Sequence, residues 1–179
     1  MRKLFRPSFL QAQDGTVAIE FAFIAPILIT MFVGTMALCN ALICRAKVTT
    51  VAASAADLVA QDETISTSQL NDVFSAVNAI VYPYPSAGSR IIITSIKEDP
   101  VHVGQYVVDW SVAQNTTAHT QGASITVPTG LVTHGASVIF AEVSYSYTPP
   151  STEFITNGFT MNDSFYARPR RSAFVTKTS

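Results

Sequence analysis

The sequence predicts an α+β protein with one N-terminal transmembrane helix, a second helix and an antiparallel sheet of about four strands. Three observations predict this class. A long uncharged apolar run comes first, and two stretches with the 3.6-residue period of amphipathic helices follow it. The remainder alternates apolar and polar residues with a period of two. Because the helices precede the strands, we expect the sheet to pack against them in an α+β domain.

The composition indicates a small membrane-anchored chain rather than a disordered, collagen-like or disulfide-scaffold protein. Its 179 residues leave room for one domain and an appendage. Hydrophobic residues make up 48% of the chain and charged residues only 13%, against about 25% in an ordinary soluble domain. The mean hydropathy is +0.30.

The apolar run from Phe21 to Ile43 contains 23 residues without a formal charge. As a helix this run would extend about 34 Å, which is enough to cross a hydrocarbon core of about 30 Å. We therefore predict a basic leader at 1–15, a transmembrane helix at 16–43 and an extracytoplasmic α+β domain at 44–179. A cleavable secretory signal is the competing interpretation. It is disfavoured because the run is too long, no small-x-small site follows it, and Arg45 and Lys47 stand directly after it.

The charges are distributed unevenly along the chain. The leader carries Arg2, Lys3 and Arg6, and this excess predicts a cytoplasmic N-terminus with the bulk of the chain outside the cytoplasm. Residues 50–163 contain two bases against ten acids, a formal charge of −8, whereas residues 164–179 carry +4. A nucleic-acid-binding protein would show a basic field over its main domain, so this class is excluded.

The apolar pattern from Val48 to Val59 predicts that the membrane helix continues to about Gln61 as an amphipathic stem. A second helix is predicted by Ser66 and Gln69, which have the spacing of a capping box, and by its stop at Pro83.

Strands are predicted at 90–97, which is rich in isoleucine, and at 105–113 and 137–148, where apolar and polar residues alternate. A fourth strand is predicted within 163–175, at an edge or interrupted, because Pro169 cannot donate to a ladder. Residues 114–136 are rich in Gln, Thr, Gly and Ser and are interpreted as a surface loop or a short hairpin.

No chemistry-bearing motif emerges from the sequence. His102, His119 and His134 are isolated in turn-like sequence, without a second ligand at metal spacing. Cys39 and Cys44 would point to different faces of one helix, which disfavours a disulfide and favours membrane packing. We therefore expect no enzyme, no catalytic or metal residues and no cofactor.

One acid stands out at the entrance of the membrane segment. Glu20 precedes the apolar run, and Gly15 lies five positions before it, at the junction with the basic leader. A carboxylate at this depth must reach the interface, become neutral or find a partner. A simple marker of the membrane boundary is the alternative interpretation of Glu20.

This spacing resembles the processing site of type IV prepilins and pseudopilins. The run Gly15 to Ala25 (GTVAIEFAFIA), the segment Val51 to Gln61 (VAASAADLVAQ) and two C-terminal blocks, AEVSYSYTP at 141–149 and SFYARPRRS at 164–172, are similar to the TadE family of tight-adherence pilus assembly proteins. The resemblance implies that a prepilin peptidase cuts between Gly15 and Thr16. It also implies that Glu20 neutralises the new α-amino group of a neighbouring subunit.

The same resemblance implies a minor pseudopilin in the assembly of a Tad/Flp adhesion pilus. Phe21 stands where the major Flp-type pilin has Tyr, and the external domain is too large for that subunit. The implied partners are the membrane, the prepilin peptidase, other pilins or pseudopilins and the Tad machinery. The implied location is the bacterial inner membrane with a periplasmic domain, or the extracellular fibre after incorporation.

Two alternatives remain open from the sequence. The chain could be an uncleaved bitopic membrane protein whose periplasmic domain binds a ligand or an envelope partner. The basic tail with Arg168, Arg170 and Arg171 could contact anionic lipid or a partner, or could simply be a solvated segment beside the acidic domain.

Overall fold

The computed structural model describes residues 14–128, 130–132, 134–149 and 158–179. The elements, in chain order, are α1 (Asp14–Ala60), β1 (Thr64–Ile65), α2 (Thr67–Val81), β2 (Ser89–Glu98), β3 (Tyr106–Gln114), β4 (Ser137–Tyr147), β5 (Phe159–Ala167) and β6 (Thr176–Lys177). The predicted α+β class is confirmed. The chain divides into two compact units, Met1–Asn40 and Ala41–Ser179. Apart from its last two residues, the predicted leader lies outside the described residues.

The C-terminal part of α1 supplies one face of the core of the second unit. Its buried side chains recur with the helical period, and they are Cys44, Val48, Val51, Ala52, Ala55, Ala56, Val59 and Ala60. The amphipathic continuation was thus predicted correctly, and α1 ends one residue before the expected Gln61. Cys44 is fully buried in this core, whereas we had expected it to pack in the membrane.

Helix α2 begins and ends where its sequence signals predict. The Ser66 hydroxyl accepts from the Gln69 backbone N–H at 3.3 Å, and the Gln69 side chain accepts from the Ser66 backbone N–H at 2.8 Å. This is the capping box. At the other end, Lys47 Nζ donates to the Ile80 carbonyl at 3.0 Å, which places a cation at the negative end of the helix dipole.

Strands β2, β3, β4 and β5 form an antiparallel sheet in the order β3-β2-β4-β5. One face of this sheet, called here the inner face, shares a buried core with α1 and α2. Its side chains in that core are Ile91, Ile93, Trp110, Ile139, Ala141, Val143, Tyr145, Tyr147 and Met161. The alternation therefore predicted both the strands and the side that is buried.

The opposite, outer face of the sheet is half covered by residues 115–136, called here the covering segment. Its Val127 and Val132 are buried against Ile96, Val138 and Phe140 in a second apolar cluster. The segment also pairs with the β3 edge, where Val108 N donates to Ala123 O at 3.0 Å and Ile125 N donates to Tyr106 O at 2.9 Å. The stretch expected as a surface loop is thus irregular but packed.

The fourth strand lies earlier than predicted. It spans Phe159–Ala167, not part of 163–175, and its register places Met161 opposite Tyr145 and Phe165 opposite Ala141. As predicted, the strand lies at an edge of the sheet, and Pro169 follows it instead of interrupting it. The tail beyond Ala167 leaves the sheet and forms β6, which pairs in parallel with β1.

The C-terminal tail ties several elements of the second unit together. Arg170 N donates to Ala60 O at 2.9 Å, and Thr176 N donates to Glu63 O at 3.0 Å. The fully buried Val175 accepts a hydrogen bond through its carbonyl from Trp110 Nε1 at 2.7 Å. The tail is therefore part of the folded domain.

Glu98 and Asp99, at the end of β2, accept hydrogen bonds from Val101, His102, Gly104 and His134, and this polar cluster is called here the clasp. The backbone N–H of Gly104 and the ring of His134 stabilise the Glu98 carboxylate and lower its pKa. The backbone N–H of Val101 and the ring of His102 lower the pKa of Asp99 in the same way. Both carboxylates are therefore held in their charged form.

The hydrogen bond from the Trp110 indole to the Val175 carbonyl should stabilise the C-terminal tail. Trp110→Phe removes the donor and leaves the buried Val175 carbonyl without its partner, so we expect a loss of about 1–3 kcal/mol of unfolding free energy. Amide exchange of Thr176 and Thr178 should accelerate in the full chain in detergent. Tyr145→Phe is the matched control, because it removes a hydrogen bond to Pro85 O elsewhere in the domain. Equal acceleration in both variants would contradict this role of Trp110.

The lowered pKa values of Glu98 and Asp99 predict that the domain loses stability as the solution becomes acidic. Because folding lowers the pKa of Glu98 and Asp99 below their usual 4.5 and 3.8, their stabilisation is complete above those values and is lost as pH falls through the folded-state values. Fluorescence of Trp110, the chain's one tryptophan, can follow urea unfolding at pH 7, 5, 4 and 3. Glu98→Gln should reduce the acid-induced loss of stability. An unchanged pH profile in that variant would contradict the assignment.

Candidate assembly and processing site

The four residues singled out by the sequence lie close together at the start of α1. The helix begins at Asp14, and Gly15 and Thr16 lie in its first turn. Glu20 and Phe21 follow within the next turn. All four residues are exposed. They belong to the first unit, whose described part is helical throughout.

The bond between Gly15 and Thr16 lies where a helix is least stabilised. The first four backbone N–H groups of a helix have no partner inside it, and glycine lowers helix stability by about 1 kcal/mol relative to alanine. A Cβ at Gly15 would meet no atom within 4 Å. A side chain can therefore be placed there without a clash inside the chain, and local unwinding of this turn costs little.

Thr16 and Glu20 are four residues apart in the same helix, so they lie on one face. The Glu20 side chain makes no hydrogen bond or ion pair with any residue that the structure describes. Phe21 beside it is 66% exposed. The site therefore presents an acid and an aromatic ring side by side, both available to a partner.

The surface that follows is almost wholly apolar. An 18-residue window of α1 has a mean hydropathy of 2.2 with none of its residues buried, and by length and composition this helix can cross a membrane. The large exposed apolar side chains of its first 30 residues are Val17, Ile19, Phe21, Phe23, Ile24, Ile27, Leu28, Ile29, Met31, Phe32, Met36, Leu38, Leu42 and Ile43. Water cannot be the solvent of such a surface. The helix indicates a single-pass membrane protein.

Polar groups inside this apolar stretch are satisfied within the helix. The hydroxyls of Thr30 and Thr35 donate to the carbonyls of Pro26 and Met31, each at 2.8 Å. This is the bonding that makes hydroxyl residues tolerable in a membrane helix. Pro26 lies inside α1, which continues through it.

The histidines of the second unit all face carboxylates. His102 lies 3.0 Å from Asp99, His119 lies 2.6 Å from Glu142, and His134 lies 2.6 Å from Glu98. The sequence suggested isolated loop residues and did not reveal these pairs. Within the described ranges, no three His, Cys, Asp or Glu side chains are grouped so that they could hold a metal ion.

Acids of the β2–β3 hairpin line one cavity. Asp99 and Asp109 border a space of about 490 Å³ near the β2–β3 hairpin, whereas Glu142 borders another cavity and Glu153 lies outside the described residues. Asp109 pairs with Lys97 at 2.5 Å, and Asp99 is held by the clasp. These acids therefore serve contacts within the fold.

Two of the three tail arginines are engaged by the chain itself. Arg168 donates to the carbonyls of Leu131 and Gly130 at 3.1 and 2.7 Å. Arg170 forms an ion pair with Asp57. Arg171 is exposed, and it makes no ion pair with a described residue. Of the two interpretations of the basic tail, a freely solvated segment thus fits Arg168 and Arg170 poorly.

The comparisons with known proteins concern the same segment of α1. Residues 15–57 match the family model described as TadE-like protein. No curated protein and no solved structure matches the chain. The family match begins at Gly15 and covers Glu20, the apolar surface and most of the buried continuation of α1. Over residues 15–57, the chain is similar to the TadE-like family.

Proposed function

We propose that this chain is a minor pseudopilin that takes part in assembling a Tad/Flp-type adhesion pilus. The TadE-like family indicates a role in Tad pilus assembly. The observation that carries the finer proposal is the exposed apolar face of α1, with Glu20 and Phe21 at its beginning. In this proposal the chain is a structural component and a peptidase substrate, not an enzyme.

The first step of the proposal is cleavage between Gly15 and Thr16 by a prepilin peptidase. The basic leader keeps this bond on the cytoplasmic side of the bacterial inner membrane, and the domain lies in the periplasm. The exposed, weakly held first turn supports the entry of an extended strand into a protease site. Hydrolysis releases the leader with a carboxylate on Gly15 and leaves an α-amino group on Thr16.

The second step is packing of the mature helix against other pilins or pseudopilins. The new amino group and the Glu20 carboxylate carry opposite charges, and they are available to neutralise each other between subunits. The apolar side chains from Phe21 onward then exchange lipid for helix contacts.

The glycine supplies a sharp test of cleavage. In cells with an active prepilin peptidase, the mass of the wild-type chain purified from membranes should match a chain that begins at Thr16. Gly15→Leu should leave the leader attached, because a bulky side chain then stands at the scissile bond. Gly34→Leu is the matched control, since Gly34 is also a helical glycine with no atom within 4 Å of an added Cβ. It should be cleaved normally.

Alkaline extraction should find all three proteins in the membrane. An intact Met1 in the wild-type chain, or equal cleavage of Gly15→Leu and wild type, would contradict the proposal. An intact chain would support the alternative of an uncleaved bitopic protein whose periplasmic domain binds a ligand or an envelope partner.

Glu20 tests assembly separately from processing. Glu20→Gln keeps the size of the side chain but removes its charge, so cleavage and membrane insertion should persist while the number of pili falls at least about tenfold, because the charge pairing between subunits is lost. Glu63→Gln is the control, because Glu63 is an exposed acid beyond α1. Pili should be counted by electron microscopy. Unchanged piliation in Glu20→Gln cells would contradict the assigned role and favour the uncleaved anchor.

A further inference from the structure

The uncovered half of the outer sheet face forms a polar groove. This outer groove has a volume of about 540 Å³ and is lined mainly by Arg90, Thr116, Glu142, Ser144, Asn162 and Ser164. Its volume lies in the range of about 300–1,000 Å³ that is typical of small-molecule sites. The groove belongs entirely to the second unit.

The register of three strands builds the floor of the outer groove. Arg90 on β2 lies opposite Ser144 on β4, which lies opposite Asn162 on β5. In the next row, Ile92, Glu142 and Ser164 are aligned in the same way. The covering segment packs Val127 and Val132 on the other half of this face and leaves these two rows uncovered. In the sequence, the groove corresponds to the polar residues of β2, β4 and β5 that alternate with residues buried in the core.

One wall of the outer groove is fixed in place. The chain leaves β3 through Asn115, which has a φ of 58° and donates through Nδ2 to Ser89 O at 2.8 Å. A few residues later, the His119 backbone N–H donates to Ser111 Oγ at 3.2 Å, and the His119 ring lies 2.6 Å from Glu142. Thr116 is held between these two anchors, and the nearby acid Glu142 is already engaged.

The outer groove is lined by one base, Arg90, and by two acids that are already engaged: Glu142 lies against His119, and Asp163 accepts a hydrogen bond from Thr49. Residues 50–163 contain ten acids and two bases, Arg90 and Lys97. Lys97 pairs with Asp109 at 2.5 Å. Arg90 is exposed and forms no ion pair with any described residue, despite the acidic surroundings. A guanidinium offers a planar fork of donors that matches a carboxylate.

The other residues that line the outer groove indicate which kind of anion it can bind. Thr116, Ser144, Asn162 and Ser164 are neutral donors and acceptors, which suit hydroxyl groups, and Ile92 offers a small apolar surface. A doubly charged phosphate would face one cation within a domain segment of formal charge −8. A single negative charge is repelled less. We propose that the outer groove binds a sugar acid, with its carboxylate on Arg90 and its hydroxyls on the neutral side chains of Thr116, Ser144, Asn162 and Ser164.

The test uses D-glucuronate as the probe and the full chain in nanodiscs. Saturation-transfer NMR titration should give saturable binding of glucuronate, with glucose and acetate each binding at least about tenfold more weakly. Arg90→Gln should weaken glucuronate binding at least tenfold. Arg90→Lys should recover part of the loss, because it restores the charge without the planar fork. Arg171→Gln is the matched control and should bind like wild type.

A second variant keeps the inference falsifiable if Arg90→Gln misfolds, which Trp110 fluorescence would reveal. Asn162→Ala, at an exposed position of β5, should weaken binding several-fold. Equal binding of glucose and glucuronate, tighter binding of glucose 6-phosphate, or an unchanged Arg90→Gln variant would overturn the inference. These outcomes do not depend on cleavage at Gly15 and leave the proposed function untouched.

Discussion

Between Cys44 and Ala60, helix α1 contributes a face of small and β-branched side chains to one core shared with α2 and the inner sheet face. The elements of this domain meet on that face. Val48, Val51 and Val59 supply most of its apolar surface, and the alanines between them allow close approach. The same stretch of α1 also carries two polar contacts: Lys47 donates to the carbonyl of Ile80 at the end of α2, and Asp57 pairs with Arg170 of the tail. A change in this face would therefore disturb the helices, the sheet and the tail together.

The same helix carries two unlike surfaces along its length. From Val17 to Ile43 most large apolar side chains are exposed, whereas most apolar side chains from Cys44 onward are buried under the protein's own elements, with Leu58 as an exposed exception. The family match spans both parts and ends at Asp57. This continuity indicates that the matched unit is the helix itself, including the membrane-length part and the part that supports the domain.

Local signals predicted much of this architecture. The capping box at Ser66 and Gln69, the period of α1 and the alternation of β2, β3 and β4 all depend on neighbours in the chain, so a single sequence displays them. The processing residues were singled out in the same local way, from Gly15 and Glu20 at the edge of an apolar run. Their functional roles stay predictions.

The features that were not predicted depend on distant contacts. Val127 and Val132 are buried only because the outer sheet face lies beneath them, and their Gln/Thr/Gly/Ser-rich context hid this. Val175 is buried because Trp110, 65 residues earlier, holds its carbonyl. Pro169 predicted a strand at an edge or interrupted; β5 is an edge strand, but it ends before the proline, and the tail beyond it pairs with β1. The outer groove likewise exists only once three strands are in register.

Magnitudes separate the roles of Glu20 and its apolar neighbours in the proposed assembly. Burying one large apolar side chain contributes about 1.5–3 kcal/mol, and α1 exposes many of them, so the apolar term reaches tens of kcal/mol. A carboxylate within a membrane helix costs only a few kcal/mol, and less near the helix end. Glu20 therefore cannot decide whether the helix remains in an apolar environment. Glu20 can instead determine the register between neighbouring helices. Its unpaired charge costs free energy in the membrane, and that cost is removed only where the carboxylate is aligned with a cationic amino group.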